Sequence, residues 1–275
     1  MMARRFGFVL AVLAGVGGLA LLLRSLEASL IYFPTRDYAA LPGDLGLDAE
    51  DLSLESTGGA RLSGWWIRGG QSGPRRVLLF FHGNAGNISH RLERARLLVD
   101  ALPVDVALVD YRGYGKSTGR PSEEGLYDDG DAVYAEAARR GLPPERIVLF
   151  GESLGCAVAI EMAVRHPCAG AILEAPFLSV PEMARAIYPF VPSFLVRTRF
   201  DNEAKIRGLR VPKLIVAAEN DDIVPPRQTR RLFEAAPPPK ELHVIRGATH
   251  NDTYAVGGQE YLAALRKFLG SLDAK

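Results

Sequence analysis

The sequence predicts an α/β domain built on a mostly parallel, doubly wound sheet, and three observations carry that expectation. Six short, nearly continuous apolar runs recur along the chain: RVLLFF, VDVALVD, RIVLF, GAILEA, PKLIVAA and KELHVI. Runs of this length and character fit strands covered on both faces. Helix-like stretches lie between them at His90 to Ala101, Glu123 to Arg140, Leu154 to Arg165, Arg227 to Ala236 and Gln259 to Leu269, and such alternation implies right-handed crossovers between parallel strands. The chain has 275 residues, 48% hydrophobic and 24% charged, which suits one large domain with small additions.

Taken in order, the N-terminus stands apart. After MMARR comes FGFVLAVLAGVGGLALLL, Phe6 to Leu23, with no charged residue. At a helical rise of 1.5 Å this run covers roughly 27 Å, close to the ~30 Å hydrocarbon core of a bilayer. It reads as a membrane anchor within residues 1–28; a secretory signal is the competing reading, but the run is long for one and no small-x-small cleavage site follows. Arg4, Arg5 and the free amine precede the span, which favours an N-terminus inside and the following domain on the extracytoplasmic side of a single-pass membrane protein. Tyr32, Phe33 and Tyr38 in the next segment suit a membrane interface. Residues 29–275 then form the main domain. Asp51 to Ile67 predicts a hairpin turning at Thr57-Gly58-Gly59-Ala60, with Trp65 and Trp66 as packing residues.

Between Pro176 and Ile206 the strand–helix alternation fails. Phe177, Leu178, Tyr188, Phe190, Phe194 and Leu195 crowd this stretch, and a long insertion at a strand's C-terminal end, about 177–206, is where a lid would sit.

Several function classes drop out on composition. A net charge of +1 supplies no basic field for nucleic acid. The two cysteines, Cys156 and Cys168, form no zinc-type cluster, and Cys156 reads as a core thiol. No metal, nucleotide or flavin is called for.

Chemistry concentrates around GESLG, Gly151 to Gly155. A glycine-flanked serine alone is weak evidence; here the strand Ile147 to Phe150 runs into it and a small-residue helix follows, the context a nucleophile elbow demands. Such a turn lifts the Ser153 hydroxyl clear of the sheet and leaves the Leu154 amide at a helix N-terminus, facing a developing oxyanion. The loop after RVLLFF reads HGNAGN, and the Asn84 amide is the candidate second oxyanion donor. His82 lies beside it at a strand end and reads as structural.

A serine needs a base, and the base needs an acid to orient it. His166, His243 and His90 are more simply structural or surface residues, whereas His250, in GATHND after the last predicted strand, can swing over the sheet. The acid should follow the preceding strand, where Asp221 and Asp222 stand side by side. The chain order serine, aspartate, histidine is the one an elbow-type hydrolase requires. In DYRGYGKSTG, Asp110 to Gly119, an aspartate, an arginine and aromatics could resemble a substrate clamp, but bracing of the elbow is the simpler role.

LIYFPTR, FFHGNAGN, DYRGYGKSTGRPSEEGLYDD, GESLG, ENDDIVPP and GATHND together resemble the α/β-hydrolase fold family. Within it the chain is similar to the membrane-anchored ABHD-type branch of protein depalmitoylases and bacterial serine aminopeptidase-like relatives, with coverage from about Leu30 to the C-terminus. In that pattern the acid precedes x-x-Val-Pro, which selects Asp221 over Asp222, and the base lies in His-Asn-Asp, which is His250. The family commonly carries His-Gly before the acid's loop, where this chain has Ala217-Ala218. The resemblance implies an α/β-hydrolase fold with a small lid and an N-terminal transmembrane helix. The expected activity is a serine hydrolase acting on an acyl ester or thioester through Ser153, His250 and Asp221. An amidase or peptidase using the same triad, or a membrane-tethered binding protein without turnover, are the rivals.

Overall fold

The computed structural model describes residues 27–70, 75–190 and 192–273. The apolar run Phe6 to Leu23 lies outside the described residues; among those described, no helix is long and apolar enough to cross a membrane. Eight strands form the main sheet: β2 (Ala49–Ser56), β3 (Ala60–Ile67), β4 (Arg76–Phe81), β6 (Val104–Val109), β7 (Ile147–Glu152), β8 (Gly170–Glu174), β9 (Lys213–Ala218) and β10 (Lys240–Ile245). Two short strands, β1 (Phe33–Pro34) and β5 (Ala85–Gly86), pair separately. The order across the main sheet is β10-β9-β8-β7-β4-β6-β3-β2. The β2–β3 hairpin is antiparallel and joins β6 antiparallel, while every pairing from β6 through β4 to β10 is parallel.

Among the described residues, the helices that pack around the sheet include α1 (Leu92–Ala101), α2 (Glu123–Arg139), α3 (Leu154–Arg165), α4 (Val180–Ile187), α5 (Asn202–Ile206), α6 (Pro226–Ala235) and α7 (Thr253–Ser271). Alternate side chains of each strand feed two cores. Val77, Leu79 and Phe81 join α2, α3 and α6 on one face. Leu78 and Phe80 join α1 and α7 on the other. The period of two along a strand produces this division, and it explains why the strands read as unbroken apolar runs. Trp66 and Trp65 likewise fall into the first and second core respectively.

Strand β4 lies between β6 and β7, so the chain leaves β4 to one side and later returns on the other. The C-terminal ends of β4 and β7 therefore border the crevice where such sheets hold their ligands.

The structure differs from the sequence reading at three places. Helix α7, expected from Gln259, starts at Thr253 and bends at Gly258 (φ 45°, ψ −120°), so the turn before Gln259 is a kink inside a longer helix. The insertion is partly helical, because Ser179 caps α4 by accepting the Glu182 amide at 3.3 Å. Its Phe177 and Leu178 are core residues, whereas Tyr188, Phe190 and Phe194 are exposed. Of the aromatic residues assigned to the interface, only Phe33 is exposed. Tyr32 is buried, and Tyr38 packs 5.0 Å from the Trp65 ring and donates to Asp110 Oδ2 at 2.7 Å.

Candidate active site

Ser153 occupies the step from β7 into α3 with φ 52° and ψ −113°. A non-glycine residue there carries backbone strain of about 1–3 kcal/mol, which the surroundings must hold in place. They do so by close packing. A Cβ on Gly155 would lie 1.8 Å from the Phe81 carbonyl oxygen, and one on Gly151 would lie 2.5 Å from the Cys156 Cα. The two glycines let α3 seat directly against the end of β4. The Ser153 amide donates to the Glu174 carbonyl at 2.9 Å, tying the elbow to β8. The Cys156 thiol reaches the Gly151 and Glu174 carbonyls at 3.1 and 3.2 Å, in keeping with a core role.

The Ser153 hydroxyl lies 2.9 Å from His250 Nε2. The other ring nitrogen, Nδ1, lies 2.9 Å from both carboxylate oxygens of Asp221. An ionised carboxylate can only accept, so Nδ1 carries the hydrogen and Nε2 is left as acceptor for the serine proton. Asp221 is itself fixed, because its Oδ1 accepts the amides of Ile223 and Val224 at 3.0 and 2.7 Å. The x-x-Val-Pro spacing thereby acquires a physical basis: the turn folds back on its own carboxylate. Asp222 accepts the His250 backbone amide at 3.2 Å. All three side chains of the serine–histidine–aspartate chain are buried.

Asn84 and Leu154 line one cavity with Ser153. The Asn84 side-chain amide donates to the Ile31 carbonyl at 2.9 Å, and the Asn84 backbone carbonyl accepts the Phe33 amide and the Tyr114 hydroxyl at 2.9 and 2.8 Å. As the first residue of α3, Leu154 has an amide with no intrahelical partner. His82 is fully buried, with Nδ1 2.8 Å from the Gly83 carbonyl and Nε2 3.8 Å from Asp110 Oδ1. Burial, reinforced by Arg91, holds its imidazole down at about 3, so it stays neutral and braces the loop. Tyr111 donates to the His82 carbonyl at 3.0 Å and Ser117 to the Asp110 carbonyl at 2.8 Å. The DYRGYG stretch thus supports the loop carrying Asn84.

A buried ionic cluster beneath the elbow is absent from the sequence reading. Glu152, next to Ser153, meets Arg91 at 3.0 Å and Arg94 at 3.2 Å, and Arg94 also meets Glu174 at 3.0 Å. Burial raises the Glu152 carboxyl, but the two guanidinium groups outweigh burial and hold it at about 2. Glu174 accepts the hydroxyls of Thr253 and of Tyr261, the latter at 2.9 Å, linking β8 to the start of the helix after His250. Its members lie 58 or more positions apart where they bridge elements, so only an Arg-x-x-Arg on one helix face and a glutamate beside the serine signal it in sequence.

The cavity over Ser153 has a volume of about 480 Å³, within the range of small-molecule sites. Its walls come from residues 27–33, from Phe177, from α4 and the turn after it, and from Ile223 and Val224. Apart from Glu27, Asn84, Ser153 and the Tyr188 hydroxyl, the lining side chains are apolar. Among the described residues no group of histidine, cysteine, aspartate or glutamate side chains could hold a metal ion.

An eight-stranded sheet with a strained serine between β7 and α3, an aspartate after β9 and a histidine after β10 is the arrangement of α/β hydrolases. A family model described as alpha/beta hydrolase fold matches residues 76–205. An uncharacterized protein of Mycobacterium tuberculosis is 37% identical over 95% of this chain and 94% of its own. The alpha/beta hydrolase domain-containing protein WAV2 of Arabidopsis thaliana is 33% identical over 96% and 92%, and protein bem46 of Schizosaccharomyces pombe is 33% identical over 90% and 87%. The chain belongs to the α/β-hydrolase family. Its fold is also that of a Pyrococcus furiosus esterase, with a TM-score of 0.70 at 20% identity, covering 88% of this chain and 98% of the other.

Proposed function

We propose that the protein is a serine hydrolase that cleaves an acyl ester or thioester. The observation that carries this is the continuous hydrogen-bonded chain from Asp221 through His250 to Ser153, which ends at the floor of an apolar cavity. Ser153 Oγ attacks the acyl carbonyl as Nε2 of His250 takes its proton, and Asp221 stabilises the imidazolium at Nδ1. Charge that develops on the carbonyl oxygen meets the backbone amides of Leu154 and Asn84, fixed dipoles that need no reorganisation as the reaction proceeds. His250 then returns the proton to the leaving alcohol or thiol. Water, deprotonated by the same Nε2, cleaves the acyl-enzyme and frees Ser153.

The preference for an acyl group rests on the cavity walls. Aliphatic and aromatic side chains reward an apolar substituent at roughly 25 cal/mol for each Å² withdrawn from water. They offer few partners to the polar atoms of a peptide, and a buried polar group without a partner is costly. The Phe6 to Leu23 run supports retention of the protein on a membrane, with the hydrolase domain on the extracytoplasmic side.

The test is labelling of the full-length chain with a fluorophosphonate, beside Ser153→Ala, together with hydrolysis of aryl esters of increasing acyl length and of an aminoacyl anilide. Labelling and ester turnover that disappear in Ser153→Ala are expected. Preferential turnover of the anilide would replace the esterase reading with a peptidase, and absence of labelling in a folded chain would remove catalysis altogether.

A further inference from the structure

Ten large apolar side chains are exposed among the described residues. They are not scattered. Six of them, Leu30, Phe33, Ile187, Tyr188, Phe190 and Ile223, line the mouth of the cavity over Ser153. A seventh, Phe194, precedes Leu195 in its wall and is 77% exposed; Phe190 is 80% exposed. Single exposed apolar residues need no explanation, but a contiguous patch at the rim of a site marks a surface that meets something apolar.

The position of the chain's apolar N-terminal run says what that is. Leu23 ends the uncharged stretch, and Glu27, four residues on, already lines the cavity. Four residues span at most about 14 Å when fully extended. A bilayer that held Phe6 to Leu23 would therefore begin within that distance of the cavity wall. Leu30 and Phe33 continue the same segment along the mouth, and its path is pinned. The Glu27 carboxylate accepts the Arg197 and Thr198 amides at 3.0 and 2.7 Å, and β1 pairs with β5. Arg197 and Arg199 have exposed side chains next to the patch, where cations favour the anionic lipid headgroups of a membrane surface.

We infer that the rim formed by Leu30, Phe33, Ile187, Phe190 and Phe194 is inserted in the leaflet that holds the N-terminal run, so that the cavity over Ser153 opens into lipid. This rests on the anchor reading given above and deepens it: acyl substrate enters sideways from the bilayer, and the lid segment is a membrane-contacting element. Covering the patch with lipid also removes exposed apolar area from water, a gain that scales with the area buried.

The experiment reads contact with lipid rather than turnover, so it stands apart from the esterase assignment. The full chain, as Phe194→Trp, Phe190→Trp or Val164→Trp, is reconstituted in phosphatidylcholine–phosphatidylglycerol vesicles with or without brominated acyl chains. Emission is measured as the difference from the parent chain, whose Trp65 and Trp66 are buried. Val164 is exposed but does not line the cavity, and it serves as the control. Brominated lipid is expected to quench the tryptophans at 190 and 194, as for side chains at the acyl boundary, and to leave the one at 164 unchanged. Vesicle-bound chain with no quenching at 190 and 194 overturns the inference while sparing the anchor. Cross-linking between copies through these positions, without quenching, assigns the patch to a dimer instead and also overturns it. Chain that does not float with vesicles overturns the anchor and the inference together, whereas the hydrolase reading is tested separately, by fluorophosphonate labelling of the parent chain.

Discussion

Asp221 and Asp222 grip the same histidine from two sides: Asp221 faces the ring at Nδ1 at 2.9 Å, and Asp222 accepts the backbone amide of His250 at 3.2 Å. The tandem acids thus divide between proton chemistry and placement. Asp221→Asn presents an amide where the imidazole needs an acceptor, favours the wrong tautomer and should lower kcat by about 10⁴-fold. Asp222→Ala only loosens the loop, and a displaced base should cost about 10- to 100-fold. Equal losses from the two substitutions, measured with one aryl ester, would contradict this division.

Gly155 tolerates no side chain. The Cβ of alanine would overlap the Phe81 carbonyl, a backbone atom in a buried strand, so either α3 or β4 must shift. Gly155→Ala should abolish fluorophosphonate labelling or prevent folding. Gly247→Ala, whose Cβ meets nothing within 4 Å but whose φ is 74°, should instead cost roughly 1 kcal/mol. Thermal melts of the two variants make the comparison.

Arg94 is fully enclosed between Glu152 and Glu174, with its guanidinium carbon 4.4 Å from the centre of the Tyr254 ring. Arg94→Met leaves two buried carboxylates short of a partner. A loss of about 3 kcal/mol is expected, or roughly 6–12 °C in melting temperature. Because Arg94 touches neither Ser153 nor His250, the folded variant should still label with fluorophosphonate at 20 °C, a temperature set well below the melt.

His82 and Asp110 give stability an unusual pH profile. Burial lowers the His82 imidazole from 6.5 to about 3, so the unfolded chain takes up a proton that the folded chain refuses. Stability from this group falls as pH drops from about 6.5 toward 3. Burial raises the Asp110 carboxyl from 3.8 to about 6; here the folded chain takes up the proton first, and stability grows as pH drops from about 6 to 4. Each slope is at most about 1.4 kcal/mol per pH unit, and across that shared window they oppose one another. Asp110→Asn removes one slope, so its melting temperature should fall more steeply than the parent's between pH 6 and 4.5. Parallel profiles would refute the account.

The strands of the parallel sheet were legible because burial on both faces leaves them uniformly apolar, and the elbow was legible because glycine, serine and helix onset are local in sequence. Ser153, Asp221 and His250 each follow a strand end, and the sheet converts three strand ends into one place. The Glu152–Arg94–Glu174 cluster was not legible, since a charged residue on a helix looks solvated until its distant partners are known. Tyr32 and Tyr38 misled for a related reason: aromatics beside an apolar run suit a membrane interface and a protein core equally, and only the fold shows that these two are packed against the domain. The bend at Gly258 shows the limit of helix signals, because a glycine pair can mark a kink as well as an end.

The segment from Glu27 to Asp37 has a mechanical consequence. Asn84 donates to the Ile31 carbonyl, Phe33 and Thr35 donate to the Asn84 and Gly86 carbonyls, and the Asn87 side chain spans Thr35 and Asp37. The loop beside Ser153 is therefore coupled in series with the N-terminal end of the chain. Tension applied at residue 27 would load this loop and the Glu27 contacts with Arg197 and Thr198 before it reached the sheet, so the loop would give way while the core stayed folded.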